Sequence, residues 1–193
     1  MKLLSALDDT ALRGKKVLVR VNFDLPVAHG EIADDFRVKA HRDTVTYLLD
    51  RGARVALLSH ISDVEGYGPI LTQLNRSLGR EMAFVSDCVG PEVMTALAEA
   101  SLVLLENVRQ HKEEQKNDSD FAKRLATGFD LYVDDAFAVA HREHASVVAI
   151  TQFLPSYAGL LMALETEHLS RVIAAPAAGK VVVLGGAKIA TQL

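Results

Sequence analysis

Polar and charged side chains recur at the points where apolar runs of the sequence end. Asn22 and Asp24 follow one such run, and His60 follows another. The full set of candidate binding residues is Asn22, Asp24, Arg37, His60, Arg109, His141 and Arg142. Three arginines with two histidines suit a small phosphorylated or carboxylated ligand, because the planar guanidinium pairs with such anions through two parallel N–H bonds. For each residue taken singly, the alternative is a surface arginine or a helix cap.

A glycine turn near the end of the chain is a second candidate. Gly185, Gly186 and Lys188 follow an apolar run over residues 181–184. Backbone amides and a lysine at such a turn could bind a phosphate at a helix N-terminus. The spacing matches neither of the generic glycine-rich nucleotide motifs. A plain strand-to-helix turn is the equal alternative.

Other polar groups favour structural interpretations. The adjacent carboxylates Asp134 and Asp135 stand at a strand end, where they are expected to cap the next helix. Glu113 and Glu114 are expected to face solvent, and the lone Cys88 to be a small buried hydrophobe. His141 and His144 are three residues apart but have no evident third ligand, so no metal site is predicted.

Apolar runs and their punctuation predict the elements that position these residues. Six strands are expected over residues 17–22, 54–58, 82–85, 102–105, 131–133 and 180–184. Helices are expected from Asp34–Asp35 to about 50, and over 70–78, 91–100, a segment with Phe121 and Leu125, 146–153 and 158–173. The last helix places Leu161, Leu164, His168 and Val172 on one face.

This alternation predicts an α/β fold with a doubly wound, mainly parallel six-stranded sheet and helices on both faces, a Rossmann-like three-layer arrangement. The carboxyl ends of parallel strands meet at one edge of a sheet, where open α/β folds bind ligands. The candidate binding residues should therefore converge there.

Composition limits the class of protein. The 193 residues are 49% hydrophobic and 24% charged, which is typical of a folded globular protein. A net charge of -4 gives no general attraction for nucleic acid or an anionic membrane, so neither is expected as a partner. Cys88 is the one cysteine, which excludes an intrachain disulfide and fits a reducing compartment. With no signal peptide and no apolar run of membrane-spanning length, a cytoplasmic location is expected.

Several segments together resemble the phosphoglycerate kinase family. They are residues 17–26 (VLVRVNFDLP), 34–37 (DDFR), 105–109 (LENVR), 135–137 (DAF), 140–142 (AHR) and 185–188 (GGAK). They occur in the family's order along the whole chain. The resemblance covers the family's N-terminal domain and the first turn beyond it. It implies a substrate domain over residues 1–175, and a linker strand with the start of a missing nucleotide-binding domain over 176–193.

The resemblance also implies roles for the site residues. Asn22, Asp24, Arg37, His60, Arg109 and Arg142 would bind 3-phosphoglycerate or 1,3-bisphosphoglycerate. Arg37 and Lys188 would be catalytic: Arg37 faces the transferred phosphoryl group, and Lys188, with Gly185 and Gly186, reaches it from the nucleotide side. The whole enzyme would be a glycolytic phosphotransferase with a carboxyl group as acceptor, using Mg-ATP or Mg-ADP.

For this chain alone the expectations are narrower. It should be an inactive monomer without a bound cofactor, and its partner would be the missing nucleotide domain, in the same or a separate chain. The alternative is a non-catalytic binding or interaction module of the same family.

Three positions differ from the family's usual pattern. Asn22 and Asp24 exchange the usual order of aspartate and asparagine. Asp63 stands where the family's loop usually offers an arginine, and Gln192 stands where it usually carries a second lysine. The last two differences remove positive charge from a site that neutralises phosphates, and they motivate the non-catalytic alternative.

Overall fold

A six-stranded parallel sheet forms the centre of the fold in the computed structural model, which describes residues 2–181 and 183. Its strands are β1 (Lys16–Arg20), β4 (Arg54–Leu58), β5 (Ala83–Val85), β6 (Leu102–Leu105), β7 (Leu131–Asp134) and β8 (Ser156–Ala158). The order across the sheet is β5-β6-β4-β1-β7-β8, and every neighbouring pair is parallel. A separate antiparallel hairpin consists of β2 (Val27–Ala28) and β3 (Glu31–Ile32). The predicted α/β fold class is confirmed.

Helices connect the strands and cover both faces of the sheet. They are α1 (Asp9–Leu12), α2 (Phe36–Ala40), α3 (Arg42–Asp50), α4 (Leu71–Leu78), α5 (Pro91–Glu99), α6 (Ser119–Ala126) and α7 (Leu160–Ala174). Short 3-10 helices occur at Leu4–Ala6, Gly68–Ile70, Val108–Gln110, Glu114–Lys116, Phe137–Val139 and Ala149–Gln152. Within residues 2–181 and 183, none of the helices has the length and apolar character that crossing a bilayer requires.

Strand β1 explains why helices lie on both faces. Its side chains alternate in direction, so Val17 and Val19 join one hydrophobic cluster while Leu18 joins the cluster on the other face. All three are fully buried. Burial of an aliphatic side chain contributes roughly 1.5–3 kcal/mol, so covering both faces of this strand is strongly favoured.

The sixth strand differs from the prediction. Ser156–Ala158 completes the sheet beside β7, although no strand was predicted there. Its three residues lack an apolar run, and their pairing depends on distant backbone, since the Ala158 N–H donates to the Lys2 carbonyl at 2.8 Å. Of the strand predicted over 180–184, residues 180, 181 and 183 are described and are not in a strand, and residues 182 and 184 lie outside the described residues.

Two predicted helices are also modified. The single helix expected from Asp34–Asp35 to about residue 50 is two helices, α2 and α3, which meet at His41. His41 directs its ring into the core instead of continuing one regular helix. The helix expected over 146–153 is reduced to one 3-10 turn at Ala149–Gln152.

Helix α7 is present as predicted, but its predicted apolar face is not buried in this chain. Leu164 is 49% exposed and Val172 is 60% exposed, whereas Met162 near the start of the helix is buried. The helix is therefore anchored at its N-terminal end.

Candidate anion-binding site

The predicted binding residues lie in loops that follow the central strands. Asn22 and Asp24 follow β1, His60 follows β4, Arg109 follows β6 and Arg142 follows β7. After β1 the chain continues into β4, β5 and β6 on one side of β1, and then into β7 and β8 on the other side. The gap between β1 and β7 is therefore the topological switch point at which open α/β sheets bind ligands.

His60 connects Asp24 to a buried arginine. Arg20 Nη2 donates to His60 Nδ1 at 2.9 Å, so the ring proton of a neutral imidazole is on Nε2. That nitrogen lies 3.3 Å from Asp24 Oδ2. Burial lowers the pKa of His60 to about 2, with Arg20, Arg109 and Arg142 acting in the same direction. His60 is therefore a neutral N–H donor and adds no positive charge to the site.

Asp24 links the remaining loops. Its Oδ1 accepts from the Ser62 N–H at 2.9 Å, and its backbone carbonyl accepts from the exposed Arg37 guanidinium. The Ser62 hydroxyl accepts from Arg109 Nη1 at 3.1 Å. A continuous set of hydrogen bonds thus joins Arg37, Asp24, Ser62 and Arg109 across three loops.

Two nitrogens of the Arg109 guanidinium have no hydrogen-bond acceptor among the described residues. They are Nε and Nη2, and both are shielded from solvent. Burial lowers the pKa of Arg109, and the neighbouring Arg142 lowers it further, against an opposing effect from Asp24. Shielded donors without a partner are unfavourable in this half-buried guanidinium. An anion that accepts from them would satisfy the donors and reduce the repulsion between Arg109 and Arg142.

Asn22 is fixed by a buried histidine and carboxylate. The Asn22 N–H donates to His41 Nε2 at 2.9 Å, so His41 carries its proton on Nδ1, which lies 2.8 Å from Asp135 Oδ2. Asp135 Oδ1 accepts from the N–H groups of Leu161 and Met162 at 3.0 and 3.2 Å. The prediction that Asp134 and Asp135 cap the next helix is wrong: Asp135 caps the more distant α7, and Asp134 Oδ1 accepts from the Ala136 N–H at 3.0 Å.

Arg20 is a supporting residue that sequence reasoning missed. It is 1% exposed, and besides His60 it donates to Ser146 Oγ at 3.0 Å and to the Val21 carbonyl at 2.6 Å. An arginine inside an otherwise apolar strand was the available signal, since buried charge requires partners.

Glu114 corrects the prediction of a solvated acidic pair. It is fully buried, and its two oxygens accept from the Ser146 N–H at 2.9 Å and the Ser146 hydroxyl at 2.6 Å. His144 Nδ1 lies 3.8 Å away. Burial lowers the pKa of His144, against the opposing effect of Glu114. Glu114 therefore supports the Arg20 side of the site.

The remaining residues singled out in the sequence are either exposed or outside the described part of the chain. His141 is exposed. Asp63 is also exposed, and its Oδ2 accepts from the Val27 N–H at 3.3 Å, which occupies the carboxylate with the small hairpin. Gly185, Gly186, Lys188 and Gln192 lie outside the described residues.

A cavity of about 270 Å³ adjoins the network beside Asn22, Arg37 and Phe137. Another cavity, of about 440 Å³, is lined by none of Arg37, Arg109 and Arg142; its lining is mainly apolar, with side chains such as Val93 and Phe129 beside one arginine, Arg124. Because the apolar cavity offers few partners for an anion, the arginine network is the better candidate site.

Comparison with known proteins gives a consistent result. A family model described as "Phosphoglycerate kinase" matches residues 7–193. The chain is 41% identical over 201 residues to the phosphoglycerate kinase of Dictyoglomus turgidum, covering 100% of this chain and 51% of that protein. It is 43% identical over 197 residues to the enzyme of that name from Moorella thermoacetica, covering 97% and 50%.

Solved structures agree with the sequence comparisons. The crystal structure of phosphoglycerate kinase from Pyrococcus horikoshii OT3 superimposes with a TM-score of 0.87 at 30% identity, over 97% of this chain and 49% of that one. The chain thus spans about half the length of the curated relatives it matches.

Proposed function

The chain belongs to the phosphoglycerate kinase family, and we propose that it is the substrate-binding half of a phosphoryl-transferring enzyme. It binds 3-phosphoglycerate, or 1,3-bisphosphoglycerate in the opposite direction, at the carboxyl edge of the sheet. Residues 1–175 form this substrate domain, and residues 176–193 lead into a nucleotide-binding domain that is not in the sequence. The proposed setting is glycolysis in the cytoplasm.

The observation that carries the proposal is the partly unpaired guanidinium of Arg109. Its Nη1 donates to Ser62, but Nε and Nη2 lack partners among the described residues, and Arg142 lies close enough to lower the pKa of Arg109. A phosphate accepts bidentately from such a group and neutralises the repulsion between the two arginines. Asn22 and Asp24, with the Asp24 carboxylate positioned by the neutral His60, supply groups that would orient the hydroxyl and carboxylate of a three-carbon acid.

Catalysis would consist mainly of positioning and charge neutralisation. Arg37 is exposed at the open edge, where it would face the transferred phosphoryl group. Lys188, with Gly185 and Gly186, would approach from the nucleotide side. Mg-ATP or Mg-ADP, bound by the second domain, would supply or accept the phosphoryl group. Closure of that domain would exclude water and align the reacting oxygens, which is where most of the acceleration of phosphoryl transfer arises.

The non-catalytic alternative is less well supported. It depends on Asp63 and Gln192, and the Asp63 carboxylate already accepts a hydrogen bond from the backbone of Val27. The other three arginines of the site, Arg37, Arg109 and Arg142, are present. Relatives that carry the kinase name match over nearly the whole chain.

The proposal is tested by joining the chain to the nucleotide-binding domain of an active relative. We expect sustained formation of ATP from 1,3-bisphosphoglycerate and ADP, abolished by Arg37→Ala. The 193-residue chain alone should give none. A folded fusion that binds nucleotide and 3-phosphoglycerate yet never turns over would establish the non-catalytic alternative instead.

A further inference from the structure

A group of metal-ligating side chains lies in the loops that follow β5 and β6 and is not part of the anion site. Asp87, Cys88 and His111 place one ligand atom each, a carboxylate oxygen, Sγ and a ring nitrogen, within 4.8 Å of one another. Asp87 and Cys88 follow the edge strand β5, and His111 ends the 3-10 turn Val108–Gln110. We call these three residues the Cys88 cluster, and the inference does not depend on the proposed kinase function.

Two members of the cluster are held in place. Asp87 Oδ1 accepts from His111 Nε2 at 2.8 Å and from the backbone N–H groups of Cys88 and Val89 at 2.6 and 3.2 Å. The His111 ring packs on Phe121, with ring centroids 4.9 Å apart and planes 30° apart. A metal ion would therefore meet a largely preorganised nitrogen and oxygen.

The third member is a buried thiol that lacks a partner. Cys88 is 2% exposed, and its Sγ makes no hydrogen bond to any of the residues that the structure describes. Burial raises the pKa of the thiol, with Asp87 and Glu114 acting in the same direction. An unpartnered sulfur facing a nitrogen and a carboxylate oxygen is the arrangement that a thiophilic cation would complete.

We propose that the Cys88 cluster binds one Zn²⁺ ion through Cys88 Sγ, His111 Nε2 and an Asp87 carboxylate oxygen. Mixed sulfur, nitrogen and oxygen donors suit Zn²⁺, whereas Mg²⁺ prefers oxygen alone. Tetrahedral bonds of about 2.0–2.3 Å require donors roughly 3.3–3.8 Å apart. The His111 Nε2–Asp87 Oδ1 pair, at 2.8 Å, must therefore open by about 0.5 Å, and any pair near the 4.8 Å limit must close by about 1 Å. Water would complete the coordination on the exposed Asp87 side.

Protons balance in the proposed binding step. The Cys88 thiol loses its proton to the buffer and binds as thiolate, and neutral His111 shifts its proton from Nε2 to Nδ1, leaving Nε2 free to bind the ion. Each Zn²⁺ bound at neutral or higher pH should therefore release about one proton from the thiol.

The test is calorimetric titration of the tag-free, fully reduced chain with zinc chloride in two buffers of different ionisation enthalpy. We expect one site per chain, proton release, and an intense near-ultraviolet thiolate-to-metal absorption when Co²⁺ replaces Zn²⁺. His111→Gln keeps an N–H donor for Asp87, so the variant should fold normally. Its affinity for Zn²⁺ should fall by more than about 100-fold, because loss of a direct ligand costs more than the roughly 10–100-fold that follows loss of an outer-shell partner. Cys88→Ala should also abolish the absorption.

The matched control is His168→Gln, which removes an exposed histidine on α7. It should bind Zn²⁺ with unchanged affinity and stoichiometry. The proposal is overturned if the chain binds no Zn²⁺, if Co²⁺ gives no thiolate absorption, or if binding survives in folded His111→Gln as it does in His168→Gln.

Discussion

Substitution of Arg109 should affect ligand binding and protein stability in different directions. Replacing it with methionine keeps much of its length but removes the unpaired Nε and Nη2 donors. Unpaired buried donors destabilise by about 1–3 kcal/mol, so Arg109→Met should leave the free energy of unfolding unchanged or raise it. Its affinity for 3-phosphoglycerate should fall by roughly 2–5 kcal/mol. Urea unfolding and calorimetry on the same variant measure both, and a destabilised variant with intact binding would make Arg109 a structural residue.

The depressed pKa of His60 predicts a pH dependence of stability. The unfolded chain protonates this histidine below about pH 6.5, whereas the folded chain keeps it neutral until about pH 2. Between these values the unfolded state binds more protons, so stability decreases as the pH falls, by up to about 1.4 kcal/mol per pH unit from this group.

His60→Gln provides the comparison, because glutamine retains an amide donor but does not titrate. Its unfolding free energy, measured by urea at several pH values from 7 to 4, should fall less steeply than that of the parent chain. Parallel pH profiles would show that His60 is not the group responsible.

The sequence predicted which residues form the candidate site better than it predicted their hydrogen-bond partners. Asn22, Asp24, His60, Arg109 and Arg142 were predicted to converge because each follows a strand, and the structure places all of them after strands of one parallel sheet. The support beneath them was not predictable in the same way. Glu114 and Ser146 are 32 residues apart, so local sequence gave no sign that this glutamate is buried and bonded.

At the level of elements, hydrogen bonds from Ser146 to Glu114 connect the 3-10 helix Glu114–Lys116 to the loop that contains Ser146. Glu114→Gln removes a buried charge that accepts two hydrogen bonds and should destabilise the fold by about 1.5–3 kcal/mol. Glu113→Gln is the matched control: its side chain is 45% exposed, with an arginine no closer than 4.0 Å, and it should change stability by less than about 0.5 kcal/mol. Equal effects in urea unfolding would contradict the assignment.

The start of α7 depends on the absence of a side chain at Gly159. A Cβ there would overlap Asp135, whose carboxylate bonds both His41 and the first N–H groups of α7. Gly159→Ala should therefore destabilise the protein by about 2–4 kcal/mol, because it displaces a buried, paired carboxylate. Gly14→Asn is the control, since the space around Gly14 is open and asparagine tolerates its left-handed backbone. Comparable thermal stability of the two variants would contradict this explanation.

Strands were predicted correctly where a buried strand has a continuous apolar run in the sequence. Elements were missed where their formation depends on contacts with residues far away in the sequence. The apolar runs of β4 and β6 were predicted with the bounds that the structure shows. Strand β8 was missed because its three residues are ordered by β7 and by the N-terminal segment, rather than by a pattern of their own. The break between α2 and α3 was missed because it depends on His41 reaching Asp135, 94 residues away.

At the scale of the whole molecule, the candidate site residues lie in loops at one edge of the sheet, and the chain spans about half the length of the proteins it resembles. Its charged groups are joined through hydrogen bonds across loops that only the parallel sheet brings together. If the proposed function is right, this half should bind substrate by itself, and turnover should require the nucleotide-binding domain.

The most direct test is calorimetric titration of the 193-residue chain with 3-phosphoglycerate at low salt, beside two arginine variants. Arg37→Ala removes the guanidinium at the open edge, and Arg13→Ala removes an exposed arginine that precedes β1 at the opposite end of the sheet. We expect saturable binding that is lost in Arg37→Ala, is kept in Arg13→Ala and weakens as the salt concentration rises. No binding by the folded chain, or equal binding by both variants, would contradict it.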